Sequence, residues 1–308
     1  MRYPFRLLSL VIATATLLSA VERPSMARSF AAQRRVAAET KQADESSVVL
    51  FEVEGVLEEG DRALENGSLY DIHPFEAQAG QSITIRLESN DFDTLLGLID
   101  AERQVIAWND NFNTSETHSQ LTVTFPSTGL YRVVADSASI DARGRYQITV
   151  TEATDTEISL AEAQAEADRL LQQGIQQSRD GQFREALQTW EQSLNVYREL
   201  GNRLGETNSL GNLGNVYSSL GQYQQAIDFH QQSLDVAREI GNRQGEASVL
   251  GGLGNVYASL GQYQQAIDFH QQSLDLSNAI GDRWREANAL GNLGNVYQSL
   301  GRYQQAID

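Results

Sequence analysis

Four histidines, a recurring asparagine and a small acidic cluster are the residues of this chain with chemistry to offer. A zinc ion needs several ligand nitrogens, each about 2.0–2.1 Å away. His230 and His270 hold the same place in successive sequence repeats, 40 residues apart. An intervening helix, with packed axes ~8–10 Å apart, keeps such positions from sharing one ion. They read as packing residues, and His73 and His118 fall in expected turns. Asp91, Asp93, Asn109 and Asp110 offer either the oxygens that calcium takes or the Asx turns that end strands. The absence of cysteine removes thiol catalysis, disulfides and cysteine-based zinc together. No Gly-x-Ser-x-Gly elbow is present, and the repeated Gly-x-Leu-Gly-Asn follows no strand, so it is no nucleotide fingerprint. The sequence therefore points to no catalytic residue, no metal site and no cofactor.

The asparagines are different, because they recur. Asn215, Asn255 and Asn295 stand at equal spacing, with Asn212 and Asn292 three residues earlier in two of the copies. A carboxamide both donates and accepts hydrogen bonds, which suits a polypeptide backbone. Duplication alone would also leave identical solvent-facing residues. Arg203, Arg243 and Arg283 each precede a glutamate by three positions (Glu206, Glu246, Glu286). That spacing predicts surface ion pairs worth a few tenths of a kcal/mol. Arg243 and Arg283 are also candidates to meet a ligand carboxylate.

Helices must position these residues. Gly211-Asn212-Leu213-Gly214-Asn215-Val216-Tyr217 recurs from Gly251 and from Gly291, at a period of 40 residues. Gly-Gln-Tyr-Gln-Gln-Ala-Ile-Asp follows at Gly221 and Gly261, a near copy at Gly301, and a degenerate one near Gly181. Leu210, Leu213, Gly214 and Tyr217 share one helical face; Tyr223, Ala226, Ile227, Phe229, Ser233 and Leu234 share another. Each unit is thus two helices, with Gly214 allowing a close approach and Asn242 or Asp282 capping the next helix.

This pattern resembles the tetratricopeptide repeat in its 40-residue form, over residues 161–308. The resemblance implies an all-α superhelical solenoid of about 3.5 repeats whose first helices line a concave groove. It places Asn212, Asn215, Asn255, Asn292 and Asn295 there as a peptide-binding ladder. Gln173 and Gln177 replace Leu and Tyr in the first copy, as an end cap requires. The pattern stops within a second helix at Asp308, which suggests a chain that continues.

Residues 48–152 alternate with period two. Ile83, Ile85 and Leu87, then Leu121, Val123 and Phe125, then Tyr146, Ile148 and Val150 read as half-buried strands. Leu95 to Ile99 reads as a central strand, and turn signals separate the runs. An all-β sandwich or jelly roll follows. The runs Gly67-Ser68-Leu69-Tyr70-Asp71, Ser89-Asn90-Asp91-Phe92-Asp93-Thr94 and Gly129-Leu130-Tyr131 resemble the bacterial pre-peptidase C-terminal domain, an accessory module of secreted proteins.

Arg2 and Arg6, the uncharged run Leu7–Ala20 and Ser25-Met26-Ala27 predict a signal peptide over 1–27. The run, about 14 residues, is short of the ~20 that span a bilayer. An Ala- and Gln-rich linker (28–47) and an acidic connector (153–160) complete the expected order. The formal charge of −18 argues against nucleic acid and anionic membranes as partners. The expected function is a secreted or periplasmic scaffold for a protein or extended peptide, with no membrane association beyond the signal peptide. Two alternatives remain: the regulatory part of a caspase-like (CHAT) protease, as the repeat resemblance suggests, and carbohydrate or matrix binding by the sandwich.

Overall fold

The computed structural model describes residues 48–59, 61–63, 68–109, 118–137, 139 and 142–307. The expected signal peptide (1–27) and linker (28–47) lie outside the described residues, as does Asp110.

The N-terminal part holds two antiparallel sheets. One orders its strands β1 (Val49–Leu57), β9 (Gly144–Glu152), β4 (Ser82–Glu88), β7 (Ser119–Thr124). The other orders them β2 (Arg62–Ala63), β3 (Leu69–Ala77), β8 (Gly129–Ser137), β5 (Thr94–Ile99), β6 (Val105–Asn109). Alternation in sequence becomes alternation in space: Ile83, Ile85, Leu87, Ile148 and Val150 all enter the core between the sheets. Leu96 and Leu98 join them from β5, which lies between β8 and β6 as a central strand. On its other face Gly97 leaves space for the Trp108 ring, which a Cβ would strike at 2.2 Å. His73 corrects an expectation. It sits inside β3, not in a turn, because the strand carries through Pro74 to Ala77. Its Nε2 lies 2.7 Å from the Tyr146 hydroxyl, which donates to Asp71 Oδ2 at 2.6 Å.

Eight helices follow: α1 (Asp155–Arg179), α2 (Phe183–Leu200), α3 (Arg203–Ser219), α4 (Tyr223–Glu239), α5 (Arg243–Ser259), α6 (Tyr263–Ala279), α7 (Arg283–Ser299) and α8 (Tyr303–Ile307). The connector expected over 153–160 is helical from Asp155 onward. Thr154 starts the helix early. Its hydroxyl accepts from the Glu157 N–H while the Glu157 carboxylate accepts from the Thr154 N–H, a reciprocal cap. Glu157 also pairs with Arg86 of β4 at 3.0 Å, tying the first helix to the sheet.

The repeats pair α1 with α2, α3 with α4, α5 with α6 and α7 with α8. Each first helix ends before a glycine in the left-handed region, such as Gly221 (φ 73°), where side-chain residues are strained. Asn202, Asn242 and Asp282 cap α3, α5 and α7 by accepting a backbone N–H three residues on, at 2.8–3.0 Å. Tyr217 stacks on Phe229 and Tyr257 on Phe269, both at 5.2 Å between ring centres. Ser193, Ser233 and Ser273 donate from each second helix to a carbonyl of its first helix at 2.7–2.9 Å. Each first helix also touches the first helix of the next repeat, and the second helices are not brought together to the same degree. The first helices are therefore the inner layer of the stack.

Candidate functional site

Asn215, Asn255 and Asn295 are exposed on α3, α5 and α7, the inner layer. They follow the buried pairs Leu213-Gly214, Leu253-Gly254 and the position of Leu293, so the face opposite is locked into the core. Asn212 and Asn292 are half-buried one turn earlier. None of the five carboxamides has a hydrogen-bond partner among the described residues. Each of Ser219, Ser259 and Ser299 bonds back to the carbonyl of the ladder asparagine four residues before, at 2.9–3.0 Å. The side-chain amides stay free while the helix backbone beneath them is satisfied.

The arginines divide. Arg283 pairs with Glu286 at 2.8 Å, and Arg203 with Glu206 at 2.5 Å, as the spacing predicts. Arg243 does not pair with Glu246. That carboxylate is taken by Arg238 of the preceding helix at 2.7 Å, as Glu206 is also taken by Arg198 at 2.8 Å. Position 278 is an asparagine, so no arginine competes for Glu286 from the preceding helix. Arg243 is left exposed and unpaired, which makes it the freer of the two candidate cations.

His230 and His270 are packing residues with a peculiarity. They are 2% and 1% exposed, and no ring nitrogen of either has a hydrogen-bond partner. Burial pushes both down to about 4, so they are neutral near pH 7. His230 lies between two glycines: a Cβ would meet its ring at 2.7 Å from Gly214 and from Gly252. His270 has Gly254 on one side, but the residue matching Gly252 is Asn292. A half-open surface pocket of about 170 Å³ lies there, lined by residues that include Asn255, His270, Asn292 and Asn295. Three of the ladder residues thus come together around one space. The sequence reading assigned the histidines to the core and missed the pocket. One sequence difference falls at this place, Asn292 where the preceding repeat has Gly252, among seven between residues 241–260 and 281–300.

In the sandwich, Asp91 and Asn109 of the acidic cluster bond to backbone groups of other strands. Asp91 Oδ2 accepts from the Arg145 N–H at 2.7 Å, and Asn109 donates to the Gln120 carbonyl at 2.8 Å. Among the described residues no group of three or more His, Asp or Glu is placed to hold a metal ion.

The architecture is a β-sandwich in front of a tetratricopeptide solenoid. Family models name both parts: the bacterial pre-peptidase C-terminal domain matches residues 69–137, and the tetratricopeptide repeat matches residues 163–239 and 245–308. Such repeats serve as protein-interaction scaffolds and are of a non-catalytic type. Similar solved structures include BtubC from P. vanneervenii, at 21% identity and a TM-score of 0.42, covering 46% of this chain and 58% of that one. They also include aspartyl phosphate phosphatase F from Bacillus subtilis (17%, 0.45, covering 46% and 38%). The TPR2AB-domain:pHSP90 complex of yeast Sti1 is a third (22%, 0.38, covering 45% and 48%). The chain thus spans about half the length of these chains or less. No curated protein matches it.

Proposed function

We propose that the chain binds an extended peptide segment of a partner protein along its inner helical layer, outside the cytoplasm. One observation carries this: three exposed asparagines recur on that layer with their amides unpartnered. A row of carboxamides can pair with backbone N–H and C=O groups whatever the peptide's side chains, as an adaptable scaffold requires. Arg243 supplies a free cation at one end of α5, where a partner carboxylate would be drawn in. The Arg2/Arg6 start and Ser25-Met26-Ala27 support export.

Two measurements test the reading. The full chain, immobilised, should retain a discrete protein from the extracytoplasmic fraction and release it to a peptide cut from that protein. Capture only of a folded partner, with no linear segment competing, would contradict peptide binding. N-terminal sequencing of the exported protein should begin close after Ala27; a mature chain starting at Met1 would contradict export.

A further inference from the structure

The open face of each first helix is longer than the asparagine row. On α3 it runs through Leu204, Asn208, Asn212, Asn215 and Ser219, and on α7 through Trp284, Asn288, Asn292, Asn295 and Ser299. Only Asn212 and Asn292 among these are half-buried; the others are exposed. Eleven residues separate Trp284 from Asn295, which is almost three whole turns at 3.6 residues each. The indole therefore leaves α7 on the ladder's own side. It is 72% exposed, and Leu204, its match in the second repeat, is 49% exposed. The row Leu204, Gln244, Trp284 gives the asparagine face an edge that is apolar at both ends. The position is open in itself, because Gln244 is exposed although a further repeat follows it. Leu290 is different: its match Leu250 is 2% exposed. Three of the seven differences between residues 241–260 and 281–300 fall at this corner, where Asn242, Gln244 and Gly245 become Asp282, Trp284 and Arg285. The charges beside the indole are already matched. Arg283 pairs with Glu286 at 2.8 Å and Arg285 with Asp282, while the Arg285 guanidinium lies 6.0 Å from the indole ring centre. What remains open is apolar ring surface.

We infer that Trp284 is an anchoring point of the groove and takes one large apolar or aromatic side chain of the bound peptide. The inference rests on the peptide-binding reading, because the indole shares its helical face with the ladder. Tryptophan is enriched among the few residues that carry most of an interface's binding energy. A peptide carboxylate or ammonium gains little here, since both arginines and both acids beside the ring have partners. Helix geometry sets the register. Eleven residues of helix rise about 16–17 Å, and an extended chain covers ~3.3 Å per residue. The anchored side chain thus lies about five residues from the backbone held at Asn295. Touching first helices are ~8–10 Å apart, so the path from Asn215 to Trp284 takes about ten or eleven residues.

A positional-scanning library of N-acetylated, C-amidated dodecapeptides, bound to the full chain, tests this. One position, near an end of the binding sequence, should favour Trp, Phe or Leu over Gln, Glu and Lys by about tenfold. The best peptide and its copy with Gln at that position are then measured against the parent and against Trp284→Gln. Gln is the residue of the preceding repeat at this exposed place, so the variant should fold as the parent does, which circular dichroism checks. Each single change should weaken binding about tenfold, and both together no more than either alone. Asn215→Ala with Asn255→Ala should weaken both peptides by one common factor. Additive losses from the peptide change and Trp284→Gln would place the anchor elsewhere and overturn the inference. So would a library without an apolar preference; in either case a loss in the asparagine variant leaves the ladder standing. Self-association in sedimentation that Trp284→Gln abolishes, with peptide affinity unchanged, also overturns it and assigns the indole to a second copy. Failure of every peptide to bind removes both readings.

Discussion

At Gly214, alanine would place a Cβ 2.7 Å from His230 Nδ1, and the ring cannot retreat because Gly252 closes its other side. Gly214→Ala should therefore destabilise the protein by about 1–3 kcal/mol, the usual cost of overpacking. Gly211 is the control on the same helix. Its added Cβ would make an ordinary 3.6 Å contact with Ser233 Oγ. Gly211→Ala should instead stabilise by roughly 0.5–1 kcal/mol through helix propensity. Urea unfolding of the two variants reads both signs; a cost at both positions would contradict the packing described. His230 and His270 add a pH dependence. Burial holds the folded rings near 4, below the ordinary value of 6.5. The unfolded chain thus binds more protons between these values. Stability is full above about pH 6.5 and falls as pH drops through 6.5 toward 4, by on the order of 3 kcal/mol per histidine. His230→Leu with His270→Leu should flatten the curve in that window relative to the parent. A parallel curve would mean that the rings are not buried neutral.

At the scale of elements, the two periodicities made most of the architecture readable. Alternation around Ile83 and Ile148 and the 40-residue spacing of Gly211, Gly251 and Gly291 each translate directly into buried faces. What escaped was set by tertiary context. The sequence pattern places His73 in a turn, yet β3 passes through it and through Pro74. The acidic stretch after Glu152 looked like a linker, but Thr154 and Glu157 form a reciprocal cap that only a helix start displays. The pairing of Glu246 with Arg238 instead of Arg243 depends on how α4 meets α5, which no local spacing encodes. Thr154→Ala should cost about 1 kcal/mol by removing the cap, and should loosen the Arg86–Glu157 tie between sheet and helix. Amide exchange at the start of α1 measures this; protection unchanged in the variant would show that the cap does not hold the junction. The fourth repeat of this 308-residue chain exposes Trp284, Leu290 and Tyr303 at 72%, 51% and 65%. In a stack held by neighbour interfaces, that unit should open first. Exchange should be fastest from about Gly291 onward and slowest in α3 to α6; even protection throughout would contradict it.

For the whole molecule, the consequence is a helical binding layer that follows the sandwich directly, with only Ala153 and Thr154 between β9 and α1. Limited proteolysis should accordingly spare residues 155–160, which an open connector would not. The net charge of −18 leaves the ladder as a neutral strip on an acidic protein, so salt should change association rates with a cationic partner more than it changes the hydrogen bonds themselves. The central claim is that the asparagine row, and not another face, holds a peptide backbone. Asn215→Ala together with Asn255→Ala tests it on a peptide from the captured partner. Two or more lost hydrogen bonds, each worth roughly 0.5–1.5 kcal/mol, should weaken binding about ten- to a hundredfold. The melting temperature should hold or rise slightly, because alanine is the better helix former and both side chains are exposed. Unchanged affinity in a variant that folds as well as the parent would contradict the account and leave the row as a residue of duplication.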